Sequence, residues 1–253
     1  MDILKLSHVS KRFGGVRAVD DFDMVIKKGA GIIGLIGPNG AGKTTVFNLI
    51  AGYLKVTSGN IYFKNKKITN HSPCNVVSGG IGRTFQQNFS FETMTVLDNV
   101  MIAAHCHHGI SKWESFRQGQ QYKSKMQKIK ELALEKLSIM GLADCRDQQP
   151  GSLSHGYRKR LGVAAALACE PEVLLLDEPF AGMLPLESDK MAMELKEIAE
   201  RQGLTIIVIE HEMRVIMAMC ERIIVMNFGH NLAEGTPEEI KNNDEVIKAY
   251  LGQ

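Results

Sequence analysis

Residues 37–45, GPNGAGKTT, restrict the fold and chemistry of this chain more than any other segment. They match the phosphate-binding pattern G-x-x-x-x-G-K-[ST], with Gly37, Gly42, Lys43 and Thr44 at its fixed positions. The glycines let backbone N–H groups surround phosphate oxygens, the lysine adds a positive charge, and the threonine hydroxyl is suited to Mg²⁺. The segment therefore predicts a polyphosphate site. The alternative is a glycine-rich turn that holds no ligand.

The residues on either side of this segment support the first interpretation. Residues 32–36 are mostly apolar, which is typical of a buried strand, and residues 46–51 continue as a helix. A helix at this position would point its N-terminus, which favours anions, at the phosphates.

The overall composition indicates a globular, cytosolic protein. The chain has 253 residues, of which 44% are hydrophobic, and this is enough for a substantial core. No apolar run reaches the roughly 18–20 residues of a membrane helix. The N-terminus lacks a basic stretch followed by an apolar one, so we expect no secretory leader. The formal charge of +2 gives no electrostatic signature of nucleic-acid binding, and we expect no nucleic-acid partner.

The cysteines and histidines do not predict a metal site. Five cysteines are scattered without a C-x-x-C pair, as expected for reduced thiols. The tract HCHH at 105–108 resembles a metal-binding tract. However, adjacent residues diverge on a helix and no second ligand pair has zinc spacing. We therefore interpret this tract as a solvated helix end.

The first part of the chain is predicted to contain an antiparallel flank followed by helices. Alternating residues predict strands at 4–9, 22–26 and 61–63. Ser72 and Pro73 predict the start of a helix that ends at Gly79 and Gly80, before a strand at 81–85. From residue 96 to about residue 140 the pattern is helical, without a strand. Its basic, glutamine-rich part, residues 111–130, is interpreted as a solvated helix face, and lipid-headgroup contact is the alternative.

Strand and helix alternate again after Pro150. Helices are predicted at 156–168 and 187–202, and strands at 173–176, 204–209 and 222–226. Unbroken apolar strands suit a parallel sheet covered on both faces. The predicted fold class is α/β, a P-loop NTPase core in one domain. Residues 1–92 and 150–253 form the core with its antiparallel β flank, and residues 93–149 form an inserted α-helical subdomain.

A second group of chemically important residues follows the strand at 173–176. Asp177 is placed to hold Mg²⁺ beside the phosphate loop. Glu178 points elsewhere and can accept a proton from an attacking water. A polar turn after a strand is the alternative, but hydrolysis needs an anion site, a metal and a base in one crevice at the strand ends. The two groups together therefore predict nucleotide hydrolysis.

Three further elements complete the pattern. Gln86 follows the predicted strand 81–85, which ends in RTF, and His211 comes shortly after the predicted strand 204–209. Residues 153–156 (LSHG) begin a helix. In this order along the whole chain, the motifs resemble the nucleotide-binding subunit of an ABC transporter. Taken singly, each of these residues would more often be an ordinary core, cap or surface residue.

The resemblance implies a set of roles. Phe13 would stack on adenine, Gln86 would bind Mg²⁺ or the attacking water, Glu178 would be the general base, and His211 would contact the γ-phosphate. Metal ligands would be Thr44, Gln86 and Asp177. The ATP contacts would come from the phosphate loop, namely Gly37, Pro38, Asn39, Gly40, Ala41, Gly42, Lys43, Thr44 and Thr45.

The resemblance also implies a dimer. Ser154 and Gly156 would contact the γ-phosphate bound by a second nucleotide-binding subunit, so that two chains enclose two ATP molecules. A helix N-terminus with a serine hydroxyl supplies donors and excludes water from that phosphate, which makes the arrangement physically reasonable.

Two departures from the family pattern bear on this dimer. The usual LSGGQ signature is LSHGY here, with His155 and Tyr157 in place of glycine and glutamine. Leu184 lies where relatives have aspartate or asparagine, and an apolar side chain cannot make the usual polar contact across the dimer. We therefore expect weaker coupling between the two ATP sites.

Within the family, the fragments RTFQQ (83–87), IEHEM (209–213) and AEGTPEEI (233–240) resemble importers of branched-chain amino acids. The implied partners are integral membrane permease subunits and, indirectly, a solute-binding protein, with the chain peripheral at the inner face of the membrane. A groove near residues 86–94 would receive the permease, with apolar contacts from Phe89, Phe91 and Met94, and ordinary core packing is the alternative. The sequence also leaves open a urea importer, a lipopolysaccharide-export ATPase, a non-transport ABC ATPase, and a P-loop kinase or GTPase.

Overall fold

A computed structural model describes residues 1–84, 90–108 and 119–251, without the side chains of 106–108 and 251. Its first sheet is antiparallel and contains strands β1 (Asp2–Phe13), β2 (Val16–Lys27), β4 (Ser58–Phe63) and β5 (Lys66–Lys67), in the order β2-β1-β4-β5. The predicted antiparallel flank is therefore confirmed, although β1 and β2 are longer than expected and β5 was not predicted.

The second sheet has six strands. They are β3 (Ile32–Ile36), β6 (Ile81–Arg83), β7 (Val173–Asp177), β8 (Thr205–Ile209), β9 (Arg222–Asn227) and β10 (His230–Gly235), in the order β10-β9-β3-β8-β7-β6. All neighbours are parallel except β9 and β10, which are antiparallel. The edge strand β10 was not predicted, because its residues are mostly exposed or half-buried and carry no apolar run.

Nine α-helices lie in the described residues. They are α1 (Lys43–Ile50), α2 (Pro73–Gly79), α3 (Val96–His108), α4 (Gln120–Ile139), α5 (His155–Ala168), α6 (Pro185–Gln202), α7 (Met213–Met219), α8 (Pro237–Lys241) and α9 (Asp244–Leu251). Ser72 caps α2 as predicted, because its hydroxyl accepts the Asn75 N–H. Within the described ranges, no helix combines the length and the apolar composition that crossing a bilayer requires.

The parallel sheet is covered on both faces, as predicted. Alternate residues of β3 belong to different cores: Ile33 and Leu35 pack towards α1 and the antiparallel sheet, while Ile32 and Ile36 pack towards the other helices. Strands β7 and β8 alternate in the same way, and every residue of β3, β7 and β8 is buried. Period-2 alternation with both faces apolar explains why these strands read as continuous apolar runs.

The predicted helical insertion contains α3 and α4, and no strand lies in its described part. Helices α3, α4 and α5 pack on one another, and Val100 and Ile129 belong to the same core as the sheet residues Ile32 and Leu174. The predicted strand at 81–85 is shorter, since β6 ends at Arg83. Residues 85–89, which include Gln86, lie outside the described residues.

Candidate functional site

The carboxyl ends of β3, β7 and β8 open into one pocket of about 210 Å³. Ligands bind at this edge of open α/β sheets because the loops that follow the strands converge there. The lining residues are Ala18, Asn39, Gly40, Ala41, Gly42, Lys43, Thr44, Thr45, Glu178 and His211. Most of the predicted phosphate-loop residues are therefore brought together with Glu178 and His211, two of the three predicted catalytic residues.

Two glycines of the phosphate loop are required by close backbone contacts. Gly37 has φ 151°, and a Cβ there would lie 2.1 Å from the Met226 carbonyl oxygen. Gly42 has φ 104°, and a Cβ there would lie 2.3 Å from the Ala18 carbonyl oxygen. Only glycine allows both the positive φ and such an approach. The loop is therefore held tightly between β9 and β2.

The turn between β9 and β10 also supports the phosphate loop. This support was not predicted from the sequence. The Gly229 N–H donates to the Ala41 carbonyl at 3.0 Å, and the Asp20 N–H donates to the Gly229 carbonyl at 2.9 Å. One residue of this turn thus connects the phosphate loop to β2. A contact between residues this far apart in the chain leaves no local pattern in the sequence.

Lys43 places its charge inside the phosphate loop. Its Nζ donates to the Gly37 carbonyl at 2.7 Å and to the Pro38 carbonyl at 3.0 Å. Burial lowers the pKa of Lys43, while the nearby carboxylates of Glu178 and Asp177 oppose that shift. Helix α1 begins at the same residue, and Thr44 and Thr45 in its first turn line the pocket. The N–H groups at a helix N-terminus favour an anion there. This arrangement suits an anion with several phosphate oxygens.

Asp177, the last residue of β7, is almost completely buried. Its Oδ2 accepts from the Arg83 guanidinium at 3.1 Å, and its N–H donates to Thr84 Oγ1 at 3.2 Å. Burial raises the pKa of Asp177, and the positive charge of Arg83 opposes that shift. Its Oδ1 is buried and has no hydrogen-bond partner within the described residues. Asp177 does not line the pocket itself, but it directly precedes Glu178, which does. A buried, unpaired carboxylate oxygen fits a hard cation such as Mg²⁺, which prefers oxygen ligands.

Glu178 and His211 form a pair at the pocket. His211 Nε2 lies 3.2 Å from Glu178 Oε1, and the Glu178 side chain is 19% exposed. The backbone of Glu178 has φ 50° and is held by its N–H, which donates to the Ile209 carbonyl, and by its carbonyl, which accepts from Lys159 Nζ. A left-handed conformation in a residue other than glycine is uncommon and is often found at functional sites. A partly exposed carboxylate held in this way can accept a proton from water.

Glu210 holds the backbone next to Glu178 and His211, a role that was not predicted from the sequence. The side chain is buried, and its oxygens accept from the Phe180 N–H at 2.8 Å and the His211 N–H at 3.0 Å. Burial raises the pKa of Glu210, and backbone N–H groups oppose that shift. Because Glu210 joins the segment after β7 to the segment after β8, it sets the positions of Glu178 and His211.

The other predicted site residues lie elsewhere. Ser154 is exposed and caps α5, since its hydroxyl accepts the Tyr157 N–H at 3.3 Å, while Gly156 is buried against Glu187. Neither residue lines the pocket. Phe13 is 46% exposed at the tip of the β1–β2 hairpin. Its ring centroid lies 4.9 Å from Lys11 Nζ. Gln86 and the side chains of residues 106–108 lie outside the described residues.

The two departures from the family pattern are both at one surface. The His155 ring packs over Gly182, where a Cβ would lie 3.0 Å from His155 Cε1. Leu184 is 68% exposed just before α6, and its N–H donates to the Glu187 carboxylate. The apolar side chain that replaces the usual polar one is thus directed to the surface.

A model of the ABC transporter family matches residues 19–181, which include the phosphate loop, Ser154 and Asp177. The chain belongs to the ABC transporter family. A second model, of the branched-chain amino acid ATP-binding cassette transporter, matches residues 230–253. The resemblance found in the sequence is therefore confirmed, and with it the α/β fold and the membership of a family of ATP-hydrolysing subunits.

Similar proteins agree with this assignment. The chain is 37% identical over 257 residues to the high-affinity branched-chain amino acid transport ATP-binding protein LivG of Salmonella typhimurium, covering 99% of this chain and 98% of the relative. A nucleotide-free ATP-binding cassette of an ABC transporter is 32% identical, covers all of both chains and has a TM-score of 0.86. A dimeric cassette in a post-hydrolysis state, bound to ADP and phosphate, is 28% identical over 92% of this chain and 98% of its own, with a TM-score of 0.78.

Proposed function

We propose that this chain is the ATP-hydrolysing motor subunit of an importer for branched-chain amino acids or related amides. The observation that carries the solute class is the match of residues 230–253 to the branched-chain amino acid cassette model. The full-length similarity to LivG supports the same class. The phosphate-loop pocket is common to many nucleotide-hydrolysing proteins, so it supports ATP hydrolysis and not the choice of solute.

ATP binds at the phosphate-loop pocket. Backbone N–H groups of residues 37–45 and the Lys43 ammonium hold the phosphates, and Thr44 and Thr45 lie at the start of α1 beside them. Phe13 stacks on the adenine, which its exposure at the hairpin tip supports. Ala18, a neighbour on the same hairpin, already lines the pocket.

Thr44, Asp177 and Gln86 would hold Mg²⁺ beside the phosphates. The unpaired Asp177 Oδ1 and the hydroxyl at the start of α1 support this assignment. When bound, the cation neutralises phosphate charge and orients the terminal phosphate.

Glu178 takes a proton from the attacking water, and His211 contacts the γ-phosphate. Their contact at 3.2 Å supports the assignment, because the imidazole orients the carboxylate and both face the pocket. Glu210 keeps the backbone of His211 in place. The carboxylate acts as a base in its ionised form, so its role requires the water proton to move to Oε1 or Oε2.

A second nucleotide-binding subunit completes each site. Ser154 and Gly156 at the start of α5 do not line the pocket of their own chain, which leaves this helix end for a partner's γ-phosphate. The dimeric relative bound to ADP and phosphate supports this arrangement. Enclosure between two chains removes water from the phosphate and strengthens each hydrogen bond to it.

Permease subunits in the membrane receive the motion of the dimer at the surface that Phe91 and Met94 contribute to, within the predicted contact region 86–94. Phe91 is 56% exposed and Met94 is 36% exposed, which favours a contact surface over core packing, while Phe89 lies outside the described residues. The chain thus acts at the inner face of the membrane, and a solute-binding protein delivers the solute on the other side.

The solute class is tested by uptake in a strain of the source organism that lacks this chain. We expect uptake of radiolabelled leucine to be lost, to return with the wild-type chain, and to stay absent with Glu178→Gln. Urea uptake measured in the same strains distinguishes an amide importer. Leucine uptake that is unchanged without the chain would refute the proposed solute.

A further inference from the structure

Arg83 at the end of β6 has no role in the proposed function, yet it is one of the most buried charged side chains near the site. The side chain is 6% exposed, and the guanidinium donates to Asp177 Oδ2 at 3.1 Å and to Asn48 Oδ1 at 2.8 Å. Asn48 lies on α1, which begins at the phosphate loop. Arg83 therefore connects three elements, namely β6, β7 and α1.

Two aromatic rings fix the position of the guanidinium. The ring centroids of Phe47 and Tyr53 each lie 5.8 Å from Arg83 Cζ, within the range of a cation–π contact. A planar group with two fixed hydrogen-bond acceptors and two aromatic neighbours has little freedom to move. Because Arg83 is fixed, the Asp177 Oδ2 atom that accepts its hydrogen bond is fixed too.

The two oxygens of Asp177 consequently differ. Oδ2 is hydrogen-bonded to Arg83, whereas Oδ1 is buried with no hydrogen-bond partner in the part of the chain that the structure describes. The Asp177 N–H donates to Thr84 Oγ1, so that backbone and carboxylate are both tied to the end of β6. Rotation of the carboxylate would break the contact with Arg83 and move Oδ1.

We propose that Arg83 is a positioning residue that holds Asp177 with Oδ1 directed to the Mg²⁺ site, and that Asn48 fixes this orientation relative to the helix that carries Thr44. The inference rests on the proposed Mg²⁺-dependent hydrolysis of ATP. Partners that orient metal ligands commonly change metal affinity by about 10- to 100-fold when they are removed. The charge of Arg83 acts in the opposite direction, because a cation near the site repels Mg²⁺. Loss of the positioning contact would therefore weaken metal binding when Arg83 is removed, whereas loss of the charge alone would strengthen it.

The test measures the affinity of Mn²⁺, as a paramagnetic substitute for Mg²⁺, for the ADP complex by electron paramagnetic resonance. Arg83→Met removes the charge and both hydrogen bonds while keeping a similar volume. We expect Mn²⁺ binding to weaken about tenfold, with ADP affinity in EDTA changed less than about twofold since metal-free binding depends on the phosphate loop. Arg83→Lys keeps the charge but cannot reach both acceptors in the same geometry, and we expect an intermediate loss.

A matched control removes another buried arginine. Arg160 on α5 is 7% exposed at its side chain, pairs with Glu194 on α6 and donates to the Met140 carbonyl at 3.2 Å. We expect Arg160→Met to lower thermal stability as Arg83→Met does, without changing Mn²⁺ affinity. If Arg83→Met does not fold, the comparison of Arg83→Lys with Arg160→Lys is made instead.

Unchanged or tighter Mn²⁺ binding in Arg83→Met would overturn the inference. Tighter binding would mean that Arg83 acts on the metal only by charge repulsion, and unchanged binding that it does not position Asp177. Equal weakening in Arg160→Met would also overturn it, because the effect would then be general. Failure of the wild-type chain to bind ADP in EDTA would instead refute the proposed function. The two failures are therefore distinguishable.

Discussion

Replacing Gly42 by alanine tests the account of the phosphate loop most sharply. The residue has φ 104°, and its added Cβ would lie 2.3 Å from the Ala18 carbonyl oxygen, whereas ordinary contacts begin at 3.4 Å. The loop and β2 must therefore separate by about 1 Å, in addition to the strain of a positive φ in alanine.

The size of the effect follows from these two contributions. The backbone strain costs about 1–2 kcal/mol, and forced separation of packed elements costs about 1–3 kcal/mol. We expect the free energy of unfolding to fall by about 2–5 kcal/mol. A 1 Å shift also breaks hydrogen bonds to phosphate, each worth about 1.5–3 kcal/mol, so that the loss of two weakens ADP binding by about 100-fold or more.

Two glycine variants serve as controls. Gly80 has φ 111°, close to that of Gly42, but a Cβ there meets nothing nearer than 3.5 Å. Gly40 lies in the same loop with φ 80° and open space around its Cβ position. Each alanine variant should lose only about 1–2 kcal/mol of stability, measured by urea unfolding, and Gly40→Ala should keep most of its ADP affinity by calorimetry. Gly42→Ala behaving like Gly80→Ala and binding ADP normally would refute the reasoning.

Three further variants or treatments have defined outcomes. Glu178→Gln should reduce hydrolysis by about 10²- to 10⁴-fold because the general base is lost, and it should elute as an ATP-dependent dimer in gel filtration; a persistent monomer would contradict the proposed dimer. Leu184→Asp should raise the Hill coefficient of hydrolysis by restoring a polar group at an exposed position of the proposed dimer surface, and an unchanged coefficient would count against that role. Burial raises the pKa of the Cys220 thiol to about 12, whereas Cys74 is exposed. At pH 8 Ellman's reagent should therefore modify Cys74 at once and Cys220 only after unfolding. The same fast rate for both thiols would show that Cys220 is not buried.

The sequence predicted the parts of this molecule that depend on local chemistry or on burial. The phosphate-loop glycines are recognisable because a positive φ and a close backbone approach leave no other residue type. Strands β3, β7 and β8 are recognisable because both of their faces are buried, which makes them continuously apolar. The position of Asp177 and Glu178 at the end of β7 was also informative, since strand ends meet at one edge of the sheet.

The features that were missed depend on contacts between distant segments. Strand β10 is an edge strand whose mostly exposed or half-buried residues carry no apolar period, so its pairing with β9 leaves no signal in its own sequence. The Arg83–Asp177 pair joins residues 94 positions apart, and an arginine at the end of a strand has no sequence pattern that marks it as buried. Glu210 appears as an ordinary charged residue until its burial beneath His211 is known.

The claim that nucleotide is bound between two chains is tested most directly by mixing two inactive variants. Lys43→Met lacks the charge of the phosphate loop, and Ser154→Arg blocks the start of α5. If the helix end serves the opposite chain, a mixed dimer has one intact site, formed by Lys43 of one chain and Ser154 of the other. Random pairing of equal amounts should then restore about a quarter of the wild-type ATPase rate. If each Ser154 serves its own chain, no intact site forms, and a mixture as inactive as the separate variants would contradict the account.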